Sequence, residues 1–146
     1  MTRWLTPDEQ RSWRAFLEAH RQVFTQLERQ LTADHDLVHG DYEILVRLSE
    51  ADGRRLRMSD LAEATMSSRS RLSHAVGRLE SLGWVVRESC PDDRRGAFAV
   101  MTDVGYAALE RMAPGHVEAV RAALVDRLSP EDFATLGRIC AQLLDS

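Results

Sequence analysis

The chain has no lysine, so all 19 of its basic residues are arginine. Every basic contact that it can make therefore uses a planar guanidinium, which can donate two parallel hydrogen bonds. Its two cysteines, Cys90 and Cys140, are too few for a disulfide framework and too far apart for a Cys-x-x-Cys site. We expect Cys140 to lie in the core and Cys90 to be a small residue of a strand, with a reactive thiol at Cys90 as the alternative.

Long apolar runs and enzyme motifs are also missing. No run approaches the ~18 residues that span a membrane, and the first ten residues lack the apolar core of a signal peptide. The motifs GxSxG, GxGxxG, the P-loop and HExxH are absent. His35, Asp36 and His39 cluster, but residues 103–128 offer only the lone His116, so no metal site is completed. We therefore expect a cytoplasmic chain that is not an enzyme and has no membrane contact, cofactor or metal.

The net charge of −4 is unevenly distributed. Residues 53–95 contain nine arginines and six acidic residues, a local charge of +3, which leaves −7 on the remainder. A basic segment on an acidic body is compatible with a nucleic-acid partner, although the charge alone does not define one.

Capping signals and apolar spacing predict three helices in the first half of the chain. Thr6-Pro7-Asp8-Glu9 is a capping box with proline at the first helical position, and it opens a long helix that ends near residues 33–36. Apolar residues from Tyr42 to Leu48 mark a second helix, which stops at Asp52-Gly53. Ser59 is placed to be the N-cap of a short third helix.

Three further helices and two strands follow. The fourth helix begins near Ser67–Ser68 and ends at Gly83, which suits the left-handed conformation. Thr102 or Asp103 caps the fifth helix, and Ser129-Pro130 opens the sixth. Between the fourth and fifth helices, the period-2 stretches 84–89 and 96–101 predict a hairpin with a polar tip. The expected fold is mainly α with a small β-hairpin wing, in the order of a winged helix-turn-helix.

The first, fifth and sixth helices carry long apolar stripes although they lie at the ends of the chain. Such stripes must be buried, and a second copy of the chain is the simplest partner. We expect a homodimer, with folding of these helices onto their own core as the alternative.

The segment 78–105, RLESLGWVVRESCPDDRRGAFAVMTDVG, resembles the MarR family of winged helix-turn-helix regulators. Asp93-Arg94-Arg95 matches the D-x-R element of that family's wing. Residues 101–105 match its Leu-Thr-x-x-Gly element with methionine for leucine, and residues 42–45 match its aromatic-x-aliphatic-Leu pattern. The resemblance implies a single chain over 1–146, with a DNA-binding lobe at 36–101 and helical dimerisation regions at 6–32 and 103–146.

The resemblance also implies which side chains meet DNA. Hydroxyl and arginine side chains on the N-terminal half and outward face of the fourth helix suit the major groove. Arginines at a hairpin tip suit the minor groove. We expect Asp93 to fix the wing by pairing with Arg78 or Arg95, and Ser59 to be a cap first and a phosphate contact second. The predicted DNA-binding residues are Ser59, Ser67, Ser68, Arg69, Ser70, Arg71, Ser73, His74, Arg94 and Arg95.

Family members bind small effectors, often aromatic or anionic, between the helices and the DNA-binding lobe. The residues that would line such a pocket here are Trp13, Arg14, Phe16, His20 and Tyr42, although the same aromatic spacing fits plain core packing. We therefore expect a homodimeric regulator that binds a pseudo-palindromic operator in double-stranded DNA, a repressor released by a small molecule. The alternative is a winged-helix module for protein–protein contact without specific DNA binding.

Overall fold

The computed structural model describes the backbone of residues 1–90 and 93–145 and the side chains of residues 1–89 and 96–145. Within these ranges the chain forms six α-helices and a three-stranded antiparallel sheet, which confirms the predicted mainly helical fold with a small hairpin. It divides into two compact units, residues 34–114 and residues 1–33 with 115–146. None of the helices in the described ranges is both long and apolar enough to cross a membrane.

Residues 1–33 and 115–146 form a helical unit. The first helix, α1 (Pro7–His35), opens with the predicted capping box: the Thr6 N–H donates to Glu9 Oε2 at 2.8 Å, and the Glu9 N–H donates to Thr6 Oγ1 at 3.2 Å. The last helix, α6 (Pro130–Leu144), opens with Ser129 Oγ, which accepts from the Asp132 N–H at 3.1 Å. These bonds satisfy N–H groups that a helix start leaves unpaired.

Residues 34–114 form the second unit, which contains the sheet. The order of its strands is β1-β3-β2, and all neighbours are antiparallel. The sequence predicted the two hairpin strands but missed β1, because three residues are too short a run for a period-2 pattern. The elements of this unit are α2 (His39–Glu50), a 3-10 turn (Asp52–Arg54), β1 (Arg55–Arg57), α3 (Met58–Ala64), α4 (Arg69–Ser81), β2 (Val85–Cys90), β3 (Asp93–Met101) and the first part of α5 (Asp103–Ala123).

The core of this second unit joins α2, α3 and α4 to one face of the sheet. On α4 the buried side chains are those of Leu72, Ala75, Val76 and Leu79, which lie on one side of the helix, so the opposite side is turned to solvent. The fully buried side chains of this core include Leu45, Leu48, Leu61, Leu72, Val76, Leu79, Val85 and Ala99.

The end of α4 and the start of α5 are joined at one compact junction. Gly83 adopts the predicted left-handed conformation (φ 77°), and the Thr102 hydroxyl donates to its carbonyl oxygen at 2.6 Å. The same hydroxyl oxygen accepts from the Gly105 N–H at 3.0 Å, so Thr102 rather than Asp103 is the cap of α5. A Cβ on Gly105 would lie 2.2 Å from the carbonyl oxygen of Trp84. The hydrogen bonds of Thr102 and the close approach of Gly105 to Trp84 therefore require a threonine and a glycine three residues apart.

The prediction that Ser59 caps α3 is wrong. The helix begins at Met58, and its N-cap position is Arg57, which has an extended backbone and makes no side-chain capping bond. The physical reason is β1, which holds Arg57 in an extended conformation and passes directly into α3. Ser59 is instead an exposed residue inside the first turn.

Candidate nucleic-acid interface

The outer face of α4 carries four of the ten predicted DNA-binding residues. Ser68 is the N-cap of this helix, and its Oγ accepts from the Arg71 N–H at 3.1 Å. Ser67 lies half-buried in the turn before it. The side chains that α4 presents on its exposed face are those of Arg69, Ser70, Arg71 and His74.

The arginines of this region fall into two groups. In the part of the chain with described side chains, Arg69 and Arg71 form no ion pair or hydrogen bond through their guanidinium groups. Arg78 and Arg87, near the other end of α4, are both held by carboxylates. The guanidinium groups that remain available to an anionic partner are therefore those at the N-terminal end of α4, where the helix dipole also favours negative charge.

Arg87 of β2 reaches α4 with all three of its guanidinium nitrogens. Nε donates to Glu80 Oε1 at 2.7 Å, Nη1 to Ser73 Oγ at 3.0 Å and Nη2 to the Ser73 carbonyl oxygen at 2.7 Å. Ser73, predicted as a DNA contact, is half-buried and has its hydroxyl oxygen engaged by Arg87. Sequence reasoning missed Arg87, because no local pattern shows that a strand residue will bond to a helix residue 14 positions away.

Arg78 pairs with Asp41 of α2, a partner that the sequence did not indicate. Its Nε and Nη2 donate to the two carboxylate oxygens at 3.0 and 2.9 Å. The hydrogen bond to Asp41 raises the pKa of Arg78 above its ordinary value. Two of its nitrogens therefore serve α2, and its predicted pairing with Asp93 in the wing stays a prediction. The side chains of Asp93, Arg94 and Arg95 lie outside the described residues.

The sequence also did not indicate the contacts of three further arginines, which lie at the start of the sheet. Arg54 lies 3.7 Å over the ring of Tyr106, and its Nη1 lies 3.3 Å from Asp103 Oδ1. Arg55 and Arg57 point to the outer face of the sheet, where their Cζ atoms lie 4.2 and 5.5 Å from the centre of the Phe98 ring. The only sequence signal for them was the basic run at residues 54–57.

The residues proposed to bind an effector lie in different units. Trp13, Phe16 and His20 form a row on an exposed face of α1, with ring-centre distances of 6.0 and 6.3 Å. Along α1, an open surface groove of about 700 Å³ runs from His20 to Ala33. Arg14 is exposed on the same helix. Tyr42 is buried in the core of the other unit, and burial raises the pKa of its hydroxyl. The effector pocket stays a prediction.

A short helix, a turn, a second helix with a polar outer face and an antiparallel hairpin define a winged helix-turn-helix protein. A family model described as the MarR family matches residues 35–96. The chain belongs to the MarR family of transcriptional regulators, as its sequence predicted, and the prediction that it is not an enzyme is confirmed with it.

Two solved structures are similar over nearly the whole chain. Sco3205, a MarR family regulator from Streptomyces coelicolor solved in complex with DNA, is 51% identical, with a TM-score of 0.93 over 99% of this chain and 91% of that one. AbsC, a MarR family regulator from the same organism, is 48% identical, with a TM-score of 0.88 over 99% of this chain and 100% of that one.

A curated relative is similar over a shorter stretch. The transcriptional repressor YetL of Bacillus subtilis is 28% identical over 100 residues, which make up 68% of this chain and 59% of the relative. The chain spans between 41% and 59% of the length of the curated relatives that it matches.

Proposed function

We propose that this chain regulates transcription by binding operator DNA, with α4 in the major groove and the hairpin tip in the minor groove. The observation that carries the proposal is the pair of exposed guanidinium groups of Arg69 and Arg71, which have no partner among the described side chains. A guanidinium can read guanine through O6 and N7, and His74 beside them adds a further donor. Similarity to Sco3205, which was solved in complex with DNA, supports DNA as the partner of this chain.

We infer that the working form is a homodimer acting in the cytoplasm. In one copy of the chain α6 buries none of its residues, although Phe133, Ile139 and Leu143 are large and apolar. A two-fold dimer would present two copies of α4 to a pseudo-palindromic site, with half-sites about 34 Å apart. Residues 6–32 and 103–146 would supply the dimer contacts, and residues 36–101 would supply the DNA-binding lobe.

We propose repression released by a small molecule as the regulatory output. The relative YetL is a transcriptional repressor, which supports repression as the output. The aromatic row of Trp13, Phe16 and His20 on α1, with Arg14 on the same helix, suits a small aromatic or anionic effector. A ligand that changes operator affinity ~100-fold must bind the two arrangements of the dimer with a difference of about 2.7 kcal/mol.

The test is binding to labelled duplexes from the DNA upstream of the chain's own gene, measured by fluorescence anisotropy over a range of salt. If about six to ten phosphates are neutralised per dimer, log K falls with log salt at a slope of about −5 to −9. Absent or salt-independent binding would contradict the proposal and favour a module for protein–protein contact.

A further inference from the structure

One side chain of the hairpin, that of Arg87, makes several hydrogen bonds to the recognition helix α4. Arg87 stands on β2, the first strand of the hairpin, and its three bonds all end on α4. Its side chain is 34% exposed and that of Glu80 is 37% exposed, so the contact is partly shielded from water. Bonds in which one or both partners are charged are stronger than neutral ones.

The local sequence of α4 is suited to this contact. Ser73 and Glu80 lie seven residues apart, two turns of one helix face, and the guanidinium of Arg87 lies between them. Gly77 occupies the intervening turn, and a Cβ there would meet Arg87 Nη2 at 3.6 Å. The planar guanidinium of Arg87 therefore spans two turns of the helix and passes over Gly77, which carries no side chain.

We propose that Arg87 is a positioning residue for DNA recognition. By holding β2 against Ser73 and Glu80, it sets the distance and angle between α4 and this strand of the hairpin, and it does so without touching DNA. This inference rests on the proposed function, because the spacing matters only if both elements meet one duplex. A site that must engage two grooves needs its parts held in place by such supporting bonds.

Lysine cannot replace arginine in this role. Its single ammonium group can pair with Glu80 but cannot form the fork that reaches both oxygens of Ser73. Arg87→Lys keeps the positive charge on the wing but removes the hydrogen bonds to Ser73. It therefore separates the effect of the charge from the effect of the positioning. Arg47→Ala is the matched control, because Arg47 is also a half-exposed arginine paired with a carboxylate, Glu43, on another helix of the same unit.

The experiment compares an upstream duplex that the parent binds with a random duplex of equal length, at several salt concentrations. For Arg87→Ala and Arg87→Lys we expect operator affinity to fall by about tenfold or more, as loss of charge-assisted bonds allows. Affinity for the random duplex and the salt slope should stay as in the parent, since no phosphate contact is lost. Arg47→Ala should bind both duplexes like the parent, and thermal unfolding should show that all variants are folded at the temperature of the assay.

The partner residues keep the test decisive if Arg87→Ala does not fold. Ser73→Ala and Glu80→Gln should each weaken operator binding in the parent, and Ser73→Ala should have no further effect in an Arg87→Lys background, because the lysine does not reach Ser73. If Ser73→Ala is equally harmful in both backgrounds, Ser73 contacts DNA independently and the inference is overturned.

Two other results would also overturn it. The first is operator affinity of Arg87→Lys and Arg87→Ala equal to that of the parent. The second is an equal loss of affinity for both duplexes, together with a slope of log K against log salt that is smaller by about one. That result would make Arg87 a direct phosphate contact. If the parent binds no upstream duplex at all, the proposed function fails and this inference fails with it. If the parent discriminates and the Arg87 variants discriminate equally well, only the inference fails.

Discussion

Arg78 on α4 and Asp41 on α2 form an ion pair with two hydrogen bonds, of 3.0 and 2.9 Å. The pair is asymmetric, because 57% of the Arg78 side chain is exposed but only 5% of that of Asp41. The buried carboxylate therefore depends on the guanidinium for its compensation. This contact fixes one end of α4 against α2, and Arg87 fixes another side of α4 against the wing.

Removing Arg78 is predicted to destabilise the fold. Arg78→Ala leaves the buried carboxylate of Asp41 without its charged partner, and we expect a loss of about 1–3 kcal/mol in the free energy of unfolding. The half-exposed arginine is screened by water, so the larger cost of a fully buried pair does not apply. Urea denaturation measures the change. Arg47→Ala is the control for removing an exposed ion pair, and equal stability of the two variants would contradict the prediction.

Gly105 is predicted to tolerate no side chain. Gly105→Ala places a Cβ 2.2 Å from the Trp84 carbonyl oxygen, and backbone atoms cannot give way as a flexible side chain can. We expect a loss of about 3 kcal/mol or more in the free energy of unfolding. Gly40→Ala is the matched control, because a Cβ at that helical glycine has no heavy atom within 4 Å. Equal midpoints of thermal unfolding for the two variants would show that the close contact at Gly105 does not affect stability.

The arginines of α4 and of the hairpin tip are predicted to act differently on DNA. Arg71→Ala should relax the preference for operator over random duplex by about 1–3 kcal/mol, because its helix faces base edges. Arg95→Ala should weaken operator binding by a similar amount and leave the fold and dimer intact, with a smaller effect for Arg94→Ala. Asp93→Ala should weaken binding by freeing the wing. Anisotropy titrations of each variant on both duplexes check this, and parent-like binding by both wing arginine variants would remove the wing from the interface.

The dimer is predicted to depend on α6. Ile139→Asp puts a charge on the exposed apolar face of that helix and should give a monomer or an aggregate, since an unpaired charge cannot be buried in an interface. Light scattering at micromolar concentration reports the mass. Arg138→Ala, at the neighbouring exposed position, should leave it unchanged. A monomeric parent would contradict the proposal of a homodimer.

Local signals in the sequence were sufficient for the helices and the outer face of α4. The caps at Thr6, Ser68 and Ser129 require only a short side chain and the N–H groups of the next turn, so a few residues determine them. The apolar stripe of α4 likewise repeats within one helix. The prediction for Ser59 failed because a neighbouring strand, rather than the local sequence, decides where α3 begins.

The bonds that position the site were not predictable in the same way. Asp41 and Arg78 are 37 residues apart, and Ser73 and Arg87 are 14 apart, so each pair meets only through the packing of two elements. The chain contains many arginines and acidic residues, and the sequence alone does not show which of them form pairs. The structure is needed to separate the guanidinium groups that hold α4 from those that remain available to DNA.

The placement of α4 in the major groove is tested most directly by methylation protection of guanine N7 on a bound upstream duplex. The account predicts two groups of protected guanines about one helical turn, roughly 10 base pairs, apart, related by the two-fold symmetry of the operator. Protection in both groups should be lost or weakened in Arg71→Ala and kept in Arg47→Ala. A bound complex in which no guanine is protected, or in which Arg71→Ala protects the same guanines as the parent, would contradict it.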